Sequence, residues 1–580
     1  MRVKAGISCV LLGASSGLLL HGRASPDPEE LLVSRNAKGH RGGRLTVALR
    51  AEPKTLNPLT AMDGPSREVI GRMHADLISI NRQTQLTQPA LAKSWTVSPD
   101  GGRYTLHLRR GLRFSDGHAF DADDVVFTFE AFLDEKTHSP QRDLLMIDGH
   151  PVTARKIDAY TVVVELPAPY AAAERIFDGL PILPRHILQA PLRDGKLADT
   201  WRLNTPAAGI SGLGPFRLKQ YQPGERLVLE RNPYFWQEDS SKQRLPYFDE
   251  LSFLFVGSEE AQVTRFVAGE TDILNRVSPR TFPLLAAGQS SRGDIVSDAG
   301  PSLEYNFLVF NLSAPDVVKA PEIAARQAWF QQTAFRKAVS LAVDRDSIVR
   351  LVYGGRGAPM WGNVSAGNQH WSSSVAPKPE RSLSQARDLL ASAGFKWDPE
   401  KNLRDRAGKL VEFSIVVAAS NTERVQMATI VQDDLKQLGM KVQVASLEFR
   451  SLVDRVLNTR QFDAALMGLG GGDADPNSEM NVWLSSGGMH LWNPGQNQPS
   501  TPWEAEIDRL MHAQMSAIRV QERKQLFDRV QRMIAENVPM VFLASPHVVV
   551  AARQWVGNFT PTVMADCTLS NVAELFRREN

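Results

Sequence analysis

The run Val411-Glu412-Phe413-Ser414-Ile415-Val416-Val417-Ala418 is followed by Ser420, Glu423, Val425, Ala428, Leu435, Leu438 and Gly439, and then by Lys441-Val442-Gln443-Val444-Ala445. This stretch carries the grammar of an α/β fold. Its first and last pieces are apolar, β-branched runs of strand length. Between them the apolar residues fall at helical spacing, Ser420 with Glu423 forms a capping box, and Gly439 ends the helix. Strand, helix and strand within residues 411–445 make a βαβ unit, so the chain holds a parallel sheet covered by helices.

Working outward, Ser382 with Gln385 forms another capping box, before Leu383, Ala386, Leu389 and Leu390, and Gly394 stops that helix. The first half of the chain reads differently. Arg44-Leu45-Thr46-Val47-Ala48-Leu49 alternates as a strand after Gly42-Gly43. Strand signals are dense over residues 90–170, clearest at Tyr104–Leu108 and Thr161–Leu166. One helix sits among them, capped by Asp121 or Asp123 and running through Val125, Val126, Phe129 and Phe132. A β-rich first half and an α/β second half predict at least two lobes.

Composition narrows the class. The chain has 580 residues, 43% hydrophobic and 22% charged, which suits a large buried core and excludes disorder, collagen and coiled coil. Lys and Arg number 66 against 64 Asp and Glu, so a nucleic-acid partner is not expected. Arg2 and Lys4 precede an apolar run from Ala5 to Leu20, and His21-Gly22-Arg23-Ala24 precedes a polar stretch. This is the pattern of a secretory signal peptide over residues 1–24, cleaved near Ala24. Its removal takes three basic residues and changes the net charge from +2 to −1. Cys9 leaves with it, so Cys567 is alone and no internal disulfide is expected. Residues 25–43 read as a flexible leader.

The motif scan is mostly negative. Gly13-Ala14-Ser15-Ser16-Gly17 matches a nucleophile elbow only inside the signal peptide. No P-loop, His-Glu-x-x-His or Cys-x-x-Cys is present, and none of the twelve His pairs at i, i+4, so neither cofactor nor metal is expected. Asp116, Asp121, Asp123 and Asp124 read as a turn and a helix cap rather than a calcium loop. The most unusual stretch is Gly468-Leu469-Gly470-Gly471-Gly472-Asp473-Ala474-Asp475-Pro476. Its glycines permit close approach of backbone to a ligand, and Asp473 and Asp475 can meet a cation. A flexible turn after a strand is the other reading. Trp361, Trp371, Trp483, Trp492 and Trp503 all lie in loop-like sequence, as pocket-lining aromatics do.

Glu52-Pro53-Lys54-Thr55-Leu56-Asn57-Pro58 resembles the opening signature of extracellular solute-binding proteins of the oligopeptide/dipeptide/nickel type, solute-binding family 5. Phe114–Gly117 with Phe120–Val125 looks like that family's helix-start motif. Gly212-Leu213-Gly214-Pro215-Phe216 with Glu230-Arg231-Asn232-Pro233-Tyr234-Phe235-Trp236 matches its most specific signature. Leu245–Glu250, and Phe335–Val339 with Ala342–Arg345, continue the pattern. Each match alone is unspecific; five in order across the mature chain are not.

The resemblance implies an α/β, two-lobed periplasmic-binding-protein fold, a hinged clamshell with a β-rich subdomain inserted in lobe one. On that pattern residues 44–304 are lobe one with the insertion at about 76–205, residues 305–542 are lobe two, and residues 543–580 return to lobe one. Crossing strands are expected at Tyr305–Leu312 and Val541–Val550. The implied role is that of an exported, periplasmic, monomeric binding component, not an enzyme, which closes over its solute and delivers it to the permease subunits of an ABC importer.

A peptide is the first solute expected, with its backbone along Ala61-Met62-Asp63-Gly64 and its amino terminus near the glycine-rich loop. There the family carries Trp, two residues, then Asp. Here Leu469 stands for the Trp and Gly472 for the Asp, with Asp473 one residue later. In an extended segment adjacent residues face opposite ways, whereas in a glycine-rich loop Asp473 can take the place. Gly471, Gly472, Asp473 and Asp475 are therefore candidate contacts. An oligosaccharide is the alternative solute, with Trp361, Trp483 and Trp492 as stacking candidates. An exported hydrolase is the reading from another class, and it lacks any placed nucleophile and base.

Overall fold

The computed structural model describes residues 28–36, 38–314, 321–470 and 473–579; the expected signal peptide lies outside them. Strands Glu412–Ala418 and Lys441–Leu447 pair in parallel around helix Thr422–Lys436. That helix buries Met427, Ala428, Val431 and Leu435 on one face. Its cap is Asn421 rather than Ser420: the Asn421 side chain accepts from the Arg424 N–H at 2.9 Å. A cap must directly precede the first helical residue, and Asn serves there as well as Ser.

These strands belong to a five-stranded sheet ordered Lys441–Leu447, Glu412–Ala418, Ala464–Leu469, Tyr305–Phe310, Met540–Phe542. Tyr305–Phe310 is buried at every position, since one apolar cluster covers each face of the sheet.

The second large sheet contains Phe216–Gln222, Arg226–Arg231, Glu250–Phe255, Arg44–Leu49, Ile273–Leu274, Ala544–Ala552 and Ile295–Pro301 in that order. A separate antiparallel sheet of Ala92–Val97, Arg103–Leu108, Thr161–Glu165 and Thr153–Asp158 shares its hydrophobic core. Helix Ala122–Leu133 starts at Asp121 with a full capping box to Asp124. The Gly212–Phe216 signature has a steric cause. A Cβ on Gly212 would lie 2.1 Å from the Met73 carbonyl oxygen, and one on Gly214 2.4 Å from the Met73 carbonyl carbon. Asn232 Nδ2 donates to the Gly214 carbonyl at 2.8 Å and Trp236 Nε1 to that of Leu213 at 3.1 Å. The two halves of the motif thus hold each other.

Two expectations need correction. The described part of the leader is not free: Leu32–Val33 pairs in parallel with Gln237–Glu238, Leu31 and Leu32 pack on the lobe-one core, and Lys93 pairs with Glu30. The crossings are also shorter than expected. Tyr305–Phe310 lies wholly in the five-stranded sheet because both its faces are buried, so the chain changes sheet over residues 302–304 and again at Leu543. The Ser302 N–H donates to the Pro546 carbonyl at 2.8 Å and the Leu543 N–H to that of Asn306 at 2.8 Å, so the crossings lie side by side. Among the described residues no helix is long and apolar enough to cross a membrane.

Candidate functional site: the cleft between the lobes

Strand Ala464–Leu469 sits in the middle of its sheet, and the loop leaving its carboxyl end carries Asp473 and Asp475. That is where open α/β sheets place ligands. Gly471 and Gly472 lie outside the described residues. The loop is tied down from both lobes. Arg175, in the short helix Ala173–Ile176 of lobe one, forms an ion pair with Asp473 and places its Nε 3.3 Å from Asp475. From lobe two, Arg523 grips Asp475 with two bonds of 2.7 and 2.5 Å and donates to Asn477 Oδ1 at 2.9 Å.

The two carboxyls differ in electrostatic state. Burial pushes Asp473 above the usual carboxylate range, with Arg175 pulling the other way. Burial acts on Asp475 too, but the hydrogen bonds and charge of Arg523, with the charge of Arg175, hold it below that range. Asp475 is therefore a structural anion, whereas Asp473 has, among the described residues, one charged partner, contributed by the opposite lobe.

Beside them lies a small recess lined by Leu303, Asn363, Ser365, Asn368, Asp473 and Glu479, among others. Asn363 is 2% exposed; its Nδ2 donates to Glu479 at 2.8 Å, and its Oδ1 has no hydrogen-bond partner among the described residues. Burial raises the Glu479 carboxyl, and Trp483 Nε1 donates to it at 2.6 Å. The recess offers acceptors, an arrangement suited to an ammonium or amide donor.

The lobes meet around it. Gln85 Nε2 donates to the Gly367 carbonyl at 2.7 Å, the Gln369 N–H to Gln85 Oε1 at 2.9 Å, and the Ala171 N–H to the Met515 carbonyl at 2.7 Å. The chain is in a closed arrangement.

The expected contacts are placed unevenly. Asp473 and Asp475 line the recess, and no residue of Ala61–Gly64 does. Asp63 instead caps helix Gly64–Met73 through the Ser66 N–H, Ala61 is buried, and Met62 is 70% exposed. Trp361 lies two residues before Asn363, donates to the Pro379 carbonyl and stands 5.5 Å from the Arg345 guanidinium. Trp483 and Trp492 require correction: each is 1% exposed, and their rings, 5.5 Å apart, fill the lobe-two core, so neither offers a face to a sugar. Sequence reasoning missed Arg523 and Arg175. Arg523 had a signal, because it occupies the buried face of helix Val520–Asn537 with Phe527, Val530 and Ile534, and a buried cation requires an anion. Nothing local marks Arg175.

A family profile described as bacterial extracellular solute-binding proteins, family 5, middle part, matches residues 87–490. The chain belongs to that family. This family-5 protein is 29% identical over 529 residues to a probable ABC transporter-binding protein of Deinococcus radiodurans, covering 87% of each chain. It is 26% identical to the oligopeptide-binding protein AppA of Bacillus subtilis, covering 88% of this chain and 87% of the relative. Its fold matches the ABC transporter substrate-binding protein CtaP of Listeria monocytogenes with a TM-score of 0.76 at 22% identity, covering 93% of this chain and all of that one. The family is one of binding proteins rather than enzymes, and its members are extracellular.

Proposed function

We propose that this family-5 protein is the exported, monomeric substrate-binding component of an ABC importer, cleaved near Ala24, which captures a peptide between its lobes and delivers it to permease subunits. The observation that carries the reading is the acceptor-lined recess at Asp473, held between lobes and including Asn363 Oδ1, unpartnered among the described residues. The names of the Deinococcus and Bacillus relatives support the transport role, and that of the latter supports the peptide. On this reading a peptide ammonium meets Asp473, and Ala61–Gly64, Gly471, Gly472, Asp475 and Trp361 are further contacts or supports. A solute shifts the lobes only by its differential affinity for the closed form. Micromolar capture corresponds to about −8 kcal/mol of net binding. The oligosaccharide reading rested on sugar-binding members of the family and on three tryptophans, of which Trp483 and Trp492 are buried and only Trp361 is left as a stacking candidate.

Pools of di- to pentapeptides are expected to raise the melting temperature by mass action. Asp473→Ala should weaken a bound peptide by about 1.5–3 kcal/mol in calorimetry, the worth of a charged hydrogen bond. A shift with oligosaccharides and none with peptides rejects the peptide.

A further inference from the structure

Strands Ile78–Ile80 and Thr87–Pro89 of lobe one pair as a hairpin, and the turn between them, residues 81–86, reaches into lobe two. Asn81 shapes the turn from within. Its Oδ1 accepts from the N–H groups of Gln83 and Thr84 at 2.9 and 3.0 Å, and its carbonyl accepts from the Gln85 N–H at 2.7 Å. Gln85 has φ 59°, a left-handed conformation uncommon for a residue with a side chain, and it is 0% exposed.

The groups that receive it belong to lobe two. Gln85 Nε2 donates to the Gly367 carbonyl at 2.7 Å, and Gln85 Oε1 accepts from the Gln369 N–H at 2.9 Å. Both ends of the carboxamide are thus met by main chain of the opposite lobe. Its neighbours add to the contact: Gln369 Nε2 donates to the Gln83 carbonyl at 3.0 Å, and His370 Nε2 to that of Thr84 at 2.7 Å. Arg175, paired with Asp473, also donates to the Gln85 carbonyl at 3.2 Å.

The receiving loop is itself fixed at two places. Ser365 Oγ donates to the Ser302 carbonyl in the crossing at 2.6 Å, and Asn368 Nδ2 to the Ala474 carbonyl, directly after Asp473, at 2.7 Å. Gly367 runs so close to the crossing that a Cβ there would lie 1.9 Å from the Pro301 carbonyl oxygen. Ile80, at the foot of the turn, joins Leu303, Ala474 and Met564 in a small buried apolar cluster. Asn368 lines the recess at Asp473, whereas Gln85, Gly367 and Gln369 are not among its lining residues.

We propose that the turn at residues 81–86 is a latch: Gln85 holds the lobes together through the protein's own main chain and sets how readily the cleft opens, whatever the solute. The inference rests on capture by closure of the lobes and not on the solute being a peptide. A buried carboxamide costs free energy unless its donor and its acceptor are both met. In the closed register Gly367 and Gln369 meet them together, and a shifted register leaves one or both without a partner. On opening, water replaces both bonds, so the net cost is small and the latch is reversible.

The test compares the native chain with Gln85→Gly and Gln85→Glu, without added solute. Glycine suits the left-handed position, and Glu keeps the shape but sets an acceptor against the Gly367 carbonyl. Melting curves verify that both variants fold. Hydrogen exchange by mass spectrometry over residues 366–371 includes the Gln369 N–H. At pH 7 exchange there should be roughly tenfold faster in each variant, the worth of one or two neutral hydrogen bonds, with strand Glu412–Ala418 in the lobe-two core unchanged. Equal exchange in all three chains overturns the latch.

Small-angle scattering gives the second readout. His370, the Arg175–Asp473 pair and the Arg82–Asp178 pair surround the turn, so the native chain is measured at each pH as the reference. The radius of gyration of Gln85→Glu should exceed the native value at pH 7. The excess should shrink at about pH 4, near the ordinary glutamate value, where a protonated carboxyl donates to Gly367 again. No excess at pH 7, or an excess undiminished by acid, overturns the latch. Neither readout uses a peptide, so failure here leaves the peptide reading standing, and rejection of the peptide leaves the latch standing.

Discussion

Arg175 and Asp473 join the two lobes by an ion pair, and the lobe-one arginine thereby occupies the carboxylate proposed to receive a solute's ammonium group. The closed arrangement therefore has an internal cation at the point where a peptide's own cation is proposed to sit. Arg175→Gln should loosen the unliganded clamshell, by about 1–3 kcal/mol for a partly buried charged contact. Small-angle scattering checks this: the radius of gyration of the ligand-free variant should exceed that of the native chain. An unchanged value would mean that the backbone contacts around Gln85 and Ala171 suffice for closure.

Arg523 and Asp475 form a pair that is buried on both sides, at 5% and 4% side-chain exposure. Removing one member strands the other's charge, so Arg523→Ala should cost about 3–5 kcal/mol in denaturant unfolding. Arg523→Lys should not restore it, because a single ammonium cannot reproduce two bonds to Asp475 and one to Asn477.

Acid sensitivity should centre on Glu504. Burial raises its carboxyl, but donors from His490, Trp492, Ser500 and Thr501 outweigh that and bring it down to about 2 from the ordinary 4.5. A depressed carboxyl stabilises the fold fully above pH 4.5, and the contribution is lost as pH falls through about 2. Glu504→Gln should lower stability at pH 7 by on the order of 3 kcal/mol and flatten the acid limb, read from melting temperatures between pH 7 and 2.

Glu68 has the opposite sign. Burial, followed by the charge of Asp566, raises its carboxyl to about 7. A raised carboxyl gives stability that is full below 4.5 and is lost as pH rises through about 7. Glu68→Gln should therefore stabilise the protein by on the order of 2 kcal/mol at pH 8 and by much less at pH 5. A larger gain at pH 5 would contradict this assignment.

Gly214 tests the motif that identifies the family. Gly214→Ala sets a methyl group 2.4 Å from the Met73 carbonyl carbon, so the segment must shift or the helix end move. Overpacking of this kind costs about 1–3 kcal/mol, measurable as a lower denaturation midpoint without a change in slope.

Much of the fold was legible because its patterns are local. The Thr422–Lys436 helix between parallel strands follows from apolar spacing and glycine, and only the capping residue moved by one, from Ser420 to Asn421. The Gly212–Phe216 signature was readable as a motif, while its cause, the backbone of Met73, is remote in sequence and could not be read. The same division governs the site. Asp473 and Asp475 stood out in a glycine-rich loop, but Arg175 lies almost three hundred positions earlier and meets them only through the closure of two lobes. Trp483 and Trp492 misled because loop-like composition says nothing of exposure; their indole N–H groups find Glu479 and Glu504, which lets the rings enter the core.

The crossings at 302–304 and Leu543 have a mechanical consequence. Each is only a few residues long, and each is hydrogen-bonded across to the other, Ser302 to Pro546 and Leu543 to Asn306. Two short spans pinned side by side resist sliding and twisting of the lobes, and leave bending about a line through the pins as the soft coordinate. The pins thus fix the registration of the two jaws, in which groups from opposite lobes, such as Arg175 and Asp473, are within reach of each other.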